Sequence, residues 1–136
     1  MSNTLYDNAR ELFATGKINW TGSDSFKVYL IDSGNYTVNT STHLYLSDVS
    51  TSSRIAGPVA LSSMTATAGA CDAADITFSS VTGTSIEAIL IYKDTGTEST
   101  SPLIAYIDTA TGLPITPNGG DIIVTWDSGT NKIFRL

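Results

Sequence analysis

Residues 86–108 read IEAILIYKDTGTESTSPLIAYID. Two apolar runs, IEAILIY and LIAYI, flank a polar tip of Thr, Ser and Gly. Runs of this length, rich in Ile, Leu and Tyr and bounded by turn residues, read as strands. The pair predicts a long β-hairpin at the centre of the core.

On the N-terminal side, Thr4 to Thr15 reads as one amphipathic helix. Leu5, Ala9, Leu12 and Phe13 recur at i, i+4, i+7 and i+8, which is one helical face. Thr4 is placed to cap its start with Asp7 three residues on, and Gly16 to end it. Such a helix either covers the sheet or acts as an arm on a neighbouring subunit. Ile18-Asn19-Trp20 has β character. Phe26 to Ile31 alternates, with Phe26, Val28 and Leu30 on one side and Lys27 and Tyr29 on the other, as in a half-buried strand. Asp32-Ser33-Gly34-Asn35 has turn chemistry. Residues 42–49 (THLYLSDV) predict a short helix with Leu44, Tyr45 and Val49 inward.

From Arg54 onward every segment reads as β. Arg54 to Leu61 carries a Gly-Pro pair, which marks a bulged or edge strand. Met64 to Ala70 alternates Thr with small apolar residues, and residues 75–80 (DITFSS) form another short strand. Leu113 to Asp121 (LPITPNGGD) is a rigid excursion. Residues 122–126 and 132–136 predict a terminal hairpin around residues 127–131, with the last strand pinned in the sheet. Many short strands separated by Gly, Asn and Asp indicate a mainly β fold, a compact antiparallel β-sandwich or small barrel with one N-terminal helix. Its 136 residues fit one domain, with residues 1–16 as helix or arm and 17–136 as the β body.

Charged residues make up 15% of the chain, low against about 25% in an ordinary domain; Ser and Thr take their place. Such a surface suits a protein that lies against others. The net charge is −6 and the seven Lys and Arg are scattered, so no basic stripe exists to neutralise phosphates and no nucleic-acid partner is expected. The first sixteen residues lack the pattern of a signal peptide. No apolar run nears the ~18 residues of a membrane helix, so no membrane partner is expected either. The chain reads as made in a cytoplasm, reaching any later location without classical secretion.

Four strand-like runs end in aspartate: Asp32, Asp94, Asp108 and Asp127. Clustered carboxylates would bind calcium or serve acid–base chemistry. The runs before Asp94 and Asp108 are consecutive and antiparallel, so these two lie at opposite ends of the sheet. Asx-type turns explain each aspartate separately. Cys71 is the single cysteine, with no base or cation beside it in sequence, and reads as a structural thiol. His43 is the single histidine, with no second ligand at metal-binding spacing. The nucleophile, phosphate-loop and dinucleotide motifs are missing. Neither catalytic residues, nor a cofactor, nor a metal site is expected. The twelve aromatics read as core, with Tyr29 and Tyr36 as the alternative for an exposed sugar-stacking pair.

Three segments carry a resemblance: residues 4–20 (TLYDNARELFATGKINW), 26–49 (FKVYLIDSGNYTVN…HLYLSDV) and above all the last fifty or so residues, which contain TGLPITPNGGDIIVTWD. Together they resemble a family of small virion proteins of tailed bacteriophages, described as structural or head decoration proteins. The resemblance implies a capsid decoration (cement) protein that sits on the outer surface of the mature head. Its partner would be the phage major capsid protein, and it would itself be a homo-oligomer, trimer or dimer. The alternative is a tail or fibre component with a host-surface or glycan-binding role. Two regions are the expected partner contacts: Leu5, Tyr6, Leu12 and Phe13 in the N-terminal segment, and Leu113, Pro114, Ile115 and Pro117 in the proline-rich loop, whose apolar residues are awkward if exposed on a monomer.

Overall fold

The hairpin of residues 86–108 lies at the middle of the largest sheet. In the computed structural model, residues 4–110, 112–126, 129 and 132–135 are described. Their elements in chain order are β1 (Thr4–Leu5), α1 (Asp7–Ala14), β2 (Ser25–Ile31), β3 (Arg54–Ala60), β4 (Thr65–Thr67), β5 (Ala70–Asp72), β6 (Ile76–Phe78), β7 (Ala88–Asp94), β8 (Leu103–Ile107), β9 (Ile122–Val124) and β10 (Phe134–Arg135). Three open antiparallel sheets result, with strand orders β1-β8-β7-β2-β3, β10-β5-β4 and β6-β9. The sandwich alternative therefore describes the chain, and the closed barrel does not. No helix among the described residues is long and apolar enough to cross a membrane.

β7 and β8 pair with Ile89 opposite Ile107 and Leu90 opposite Tyr106, and slip by one residue between Ile91 and Tyr92. All of β8 and the first five residues of β7 are buried. A strand buried on both faces needs an unbroken apolar run, as here, and not an alternating one. One face carries Phe26, Val28 and Leu30 of β2 beside Ile89 and Ile91 of β7. It packs through Phe26 onto Trp20, which meets Phe134 of β10 edge-on at 5.1 Å. The other face carries Tyr29, Leu90, Tyr92 and Tyr106. The loop between β2 and β3 covers it, with Tyr36 against Tyr106 and Leu46 and Val49 buried.

The helix is shorter than its sequence periodicity predicts. Thr4 does not cap it. Thr4 and Leu5 pair with Tyr106 and Ala105 as a sheet edge, and the Tyr6 N–H donates to the Ile104 carbonyl at 2.9 Å. Ladder bonds together with burial of Leu5 and Tyr6 outweigh one more helical turn, since propensity is a weak prior. The C-terminus follows expectation. Gly16 has φ +74°, its N–H reaches the Phe13 carbonyl, and the Lys17 N–H reaches that of Leu12, the paired bonds of a Schellman motif.

Other expectations need correction. Ile18 and Trp20 are buried without forming a strand. In residues 42–49 only a 3-10 turn forms, at Leu46–Asp48, with Leu46 inward and Leu44 exposed. The Asp48 carboxylate accepts the N–H groups of Leu44 and Tyr45 at 2.8 and 3.1 Å. This local alternative competes with helix formation. Met64 to Ala70 is no single strand but most of a hairpin, β4–β5, turning at Ala68 and Gly69, both with positive φ. The expected terminal hairpin does not form either. β9 pairs with β6 and β10 with β5. Trp126 is held instead by Asp75 Oδ1, which accepts its N–H, and by the Ala74 carbonyl, which accepts its indole N–H. Asp127, Ser128, Thr130, Asn131 and Leu136 lie outside the described residues.

The Gly-Pro pair in β3 has a definite reason. Register shifts between β2 and β3 around Tyr29, and opposite that shift Gly57 has φ +115° with a cis bond to Pro58. A Cβ on Gly57 would stand 2.6 Å from the Val28 carbonyl oxygen, so only glycine fits there. The edge-strand expectation holds, since β3 closes one side of its sheet.

Candidate functional site

The two expected contact regions border two shallow depressions on different parts of the surface. Ser33, Glu87, Tyr106, Asp108, Leu113 and Pro114 line the first, of about 270 Å³. The second, about 330 Å³, is apolar and lies between the end of α1, residues 18–21 and the β4–β5 hairpin. Its lining includes Phe13, Ile18, Trp20, Ala66, Gly69 and Cys71.

The N-terminal contact set divides. Leu5 is 7% exposed and Tyr6 not at all, so their side chains belong to this chain's own core and are not presented to a partner. Leu12 and Phe13 are half-buried against that core, and Phe13 lies 5.8 Å from Phe134, ring to ring. The proline-rich loop is also more tied down than expected. Ile115 exchanges two backbone hydrogen bonds with Ile86, the Gly119 N–H donates to Val81 O, and the Val81 N–H donates to Gly120 O. Leu113, Ile115 and Pro117 are half-buried; Pro114 and Thr116 are exposed. A rigid excursion is therefore present, but of its four expected contact residues only Pro114 stands clear of the core. Placing Asp at Leu113 or Ile115 would strike the fold as well as any contact.

At the first depression the strand ends bring carboxylates near each other. The end of β2 and the start of β7 are opposite in register, and Ile107 opposite Ile89 puts Asp108 at that same end. Asp94 lies at the other end, as expected. Glu87 Oε1 accepts from both the N–H and the hydroxyl of Ser33. Asp32 accepts the Gly34 N–H at 2.9 Å and the Thr84 hydroxyl at 2.7 Å, and Asp94 accepts the Gly96 N–H at 3.0 Å. Asp32 and Asp94 thus form the expected Asx turns. Among the described residues no group of three His, Cys, Asp or Glu side chains could hold a metal ion.

The Thr84 hydroxyl and the Gly34 N–H hold the Asp32 carboxyl below the usual carboxylate range. The Leu44 and Tyr45 N–H groups likewise lower Asp48, the Lys27 ammonium and the Gly96 N–H lower Asp94, and Arg54 lowers Glu98. A depressed folded-state value means that the stabilisation is complete above the ordinary value and is lost as the pH falls through the lower one. The urea midpoint is expected to be flat between about pH 5 and 7 and to fall below about pH 4. Asp32→Asn should flatten part of that fall. An unchanged acid slope in that variant would show that Asp32 contributes nothing to it.

A buried polar chain was not legible in the sequence. The Tyr6 hydroxyl meets the Tyr36 hydroxyl at 2.8 Å, and Tyr36 meets His43 Nδ1 at 2.8 Å. The Asn39 N–H also points at Nδ1, which assigns that nitrogen as the acceptor and orders the bonds Tyr6 to Tyr36 to His43. Burial raises the hydroxyl pKa values of Tyr6 and Tyr36 and pushes Tyr106 up to about 12. Tyr36 therefore does not form an exposed pair with Tyr29, which stacks on Tyr92 at 5.7 Å. Cys71 is 1% exposed and burial pushes its thiol up to about 11, which keeps it in the unreactive thiol form. Tyr6, Tyr36 and His43 thus tie the loop between β2 and β3 to the start of the chain. No protein-family model matches the chain, and no curated protein is significantly similar to it.

Proposed function

We propose that this chain is a capsid decoration (cement) protein of a tailed bacteriophage, binding the outer surface of the mature head and bridging neighbouring major capsid subunits. The observation that carries the reading is the state of residues 112–120, part of the segment with the most specific resemblance. They contain no charged residue and are pinned by backbone bonds to Val81 and Ile86, while Pro114 and Thr116 stand exposed. A loop already fixed in one conformation loses little entropy on docking. A protein that binds only the expanded lattice stabilises it by mass action, and many weak sites sum over a shell.

Pro114→Asp with Thr116→Asp is expected to lower binding to mature heads by at least about tenfold, or ~1.4 kcal/mol, with the circular dichroism spectrum unchanged. Undiminished binding by the folded double variant would remove the loop from the contact. The tail or fibre reading predicts exposed rings for sugar stacking. None of the twelve aromatics falls in the exposed class, so nothing favours that reading over decoration.

A further inference from the structure

We propose that the outer edge of β4 is a self-pairing surface, on which a second copy of this chain adds antiparallel through Thr65–Thr67. The argument begins with the hairpin turn. Ala68 and Gly69 have φ +54° and +81°, the signs of a two-residue type I′ turn. In such a hairpin the residues flanking the turn, Thr67 and Ala70, exchange the hydrogen bonds. The next pair, Ala66 opposite Cys71, does not. Cys71 accordingly turns its backbone toward β10, where its carbonyl accepts the Ile133 N–H at 3.0 Å. Ala66 turns its own N–H and C=O the other way, to the outer side of β4, which among the described residues is the last strand of its sheet.

Open edges usually carry a protective device. The edge strand β1 is two residues long. β3 contains Pro58, which has no N–H to offer, and is interrupted by its bulge. β4 has neither device, and all three of its residues are exposed. Nor does β4 itself carry a charge: residues 55–71 contain no Asp, Glu, Lys or Arg, and the charge in register with it, Asp72 opposite Thr65, sits one strand in from the edge on β5. In a chain of net charge −6, two copies repel over most of their surfaces, and this neutral edge is where they can approach. An antiparallel edge is its own complement. A two-fold axis at Ala66 sets its N–H and C=O against the same groups of the second copy and Thr65 opposite the partner copy's Thr67. Ala66 and Gly69 also form one wall of the apolar groove beside Phe13 and Trp20, a wall that the added strand would lengthen.

Three residues a side bury far less than the ~1,000 Å² of a stable interface, so the pairing is weak in free solution and gains where copies are held side by side. It does not depend on the shell-binding reading, because it is tested on the purified chain alone. In sedimentation analysis at about 0.1–1 mM, the weight-average mass should rise from 14.3 kDa toward about twice that value. Ala66→Pro removes the outward N–H and should hold the chain at single-chain mass with an unchanged circular dichroism spectrum. If that variant fails to fold, exposed Thr65 and Thr67 supply the second test. Thr65→Lys with Thr67→Lys sets like charges opposite each other and should abolish pairing. Thr65→Lys with Thr67→Glu sets opposite charges across the two-fold and should restore it. A wild-type chain of single-chain mass at about 1 mM, or equal association by both charge variants, would overturn the proposal.

Discussion

Replacing Leu90 with alanine is expected to lower the unfolding free energy by about 2–5 kcal/mol, read as a fall in the denaturant midpoint at unchanged slope. Leu90 is fully buried in β7, between Tyr29 of β2 and Tyr106 of β8 in register. Truncation there loses the transfer free energy of the removed carbons and leaves a cavity. The flanking rings are held, Tyr29 by stacking on Tyr92 and Tyr106 by Tyr36, so the site collapses poorly and the cost lies toward the upper end. Against a total of about 5–15 kcal/mol for a domain, this is the largest single-residue effect we expect. The same truncation at exposed Leu44 should cost under about 0.5 kcal/mol. Equal effects at the two positions would contradict the placement of the hairpin at the centre.

Arg54→Met is the second large effect, expected at about 3 kcal/mol from the loss of two charge-assisted hydrogen bonds. The Arg54 side chain is 6% exposed. Its Nη2 donates to the carbonyls of Leu46 and Val49 at 2.8 and 2.7 Å, and the guanidinium lies 5.3 Å from the centre of the Tyr29 ring. It thereby ties the loop that covers one face of the sheet to the start of β3. Methionine keeps most of the stem volume but removes the donor to both carbonyls, leaving Leu46 only the Val49 N–H. The ion pair with Glu98, 2.9 Å away, contributes much less because Glu98 is 54% exposed; Glu98→Gln should cost only about 0–1 kcal/mol. If Arg54→Met costs no more than Glu98→Gln in urea unfolding, the carbonyl contacts are not what holds the loop.

The central hairpin, the alternation of β2, the glycine stop of α1 and the Asx turns at Asp32 and Asp94 were legible because each is set by neighbours in sequence. Long-range competition decided the rest. Thr4 and Leu5 left the helix because β8 offered them a ladder that periodicity alone does not reveal; the partners, Tyr106 and Ala105, lie about one hundred residues away.

 The β9 and β10 strands pair with β6 and β5 and not with each other, a choice made by partners 44 to 65 residues away. The chain from Tyr6 through Tyr36 to His43 likewise joins residues whose spacing carries no signal. Of the expected contact residues, Leu5 and Tyr6 were drawn inward by the sheet edge that they help to form. Apolar type alone does not separate a core residue from a contact residue, whereas a strand edge without charge or proline, as at β4, can be recognised once the pairing order is known.

The most direct test of the decoration reading is the copy number of this protein in purified phage particles, measured by quantitative mass spectrometry against the major capsid protein. The account predicts a ratio on the scale of the capsid subunit itself, as lattice-wide binding requires. A few copies per particle, or none, would contradict it.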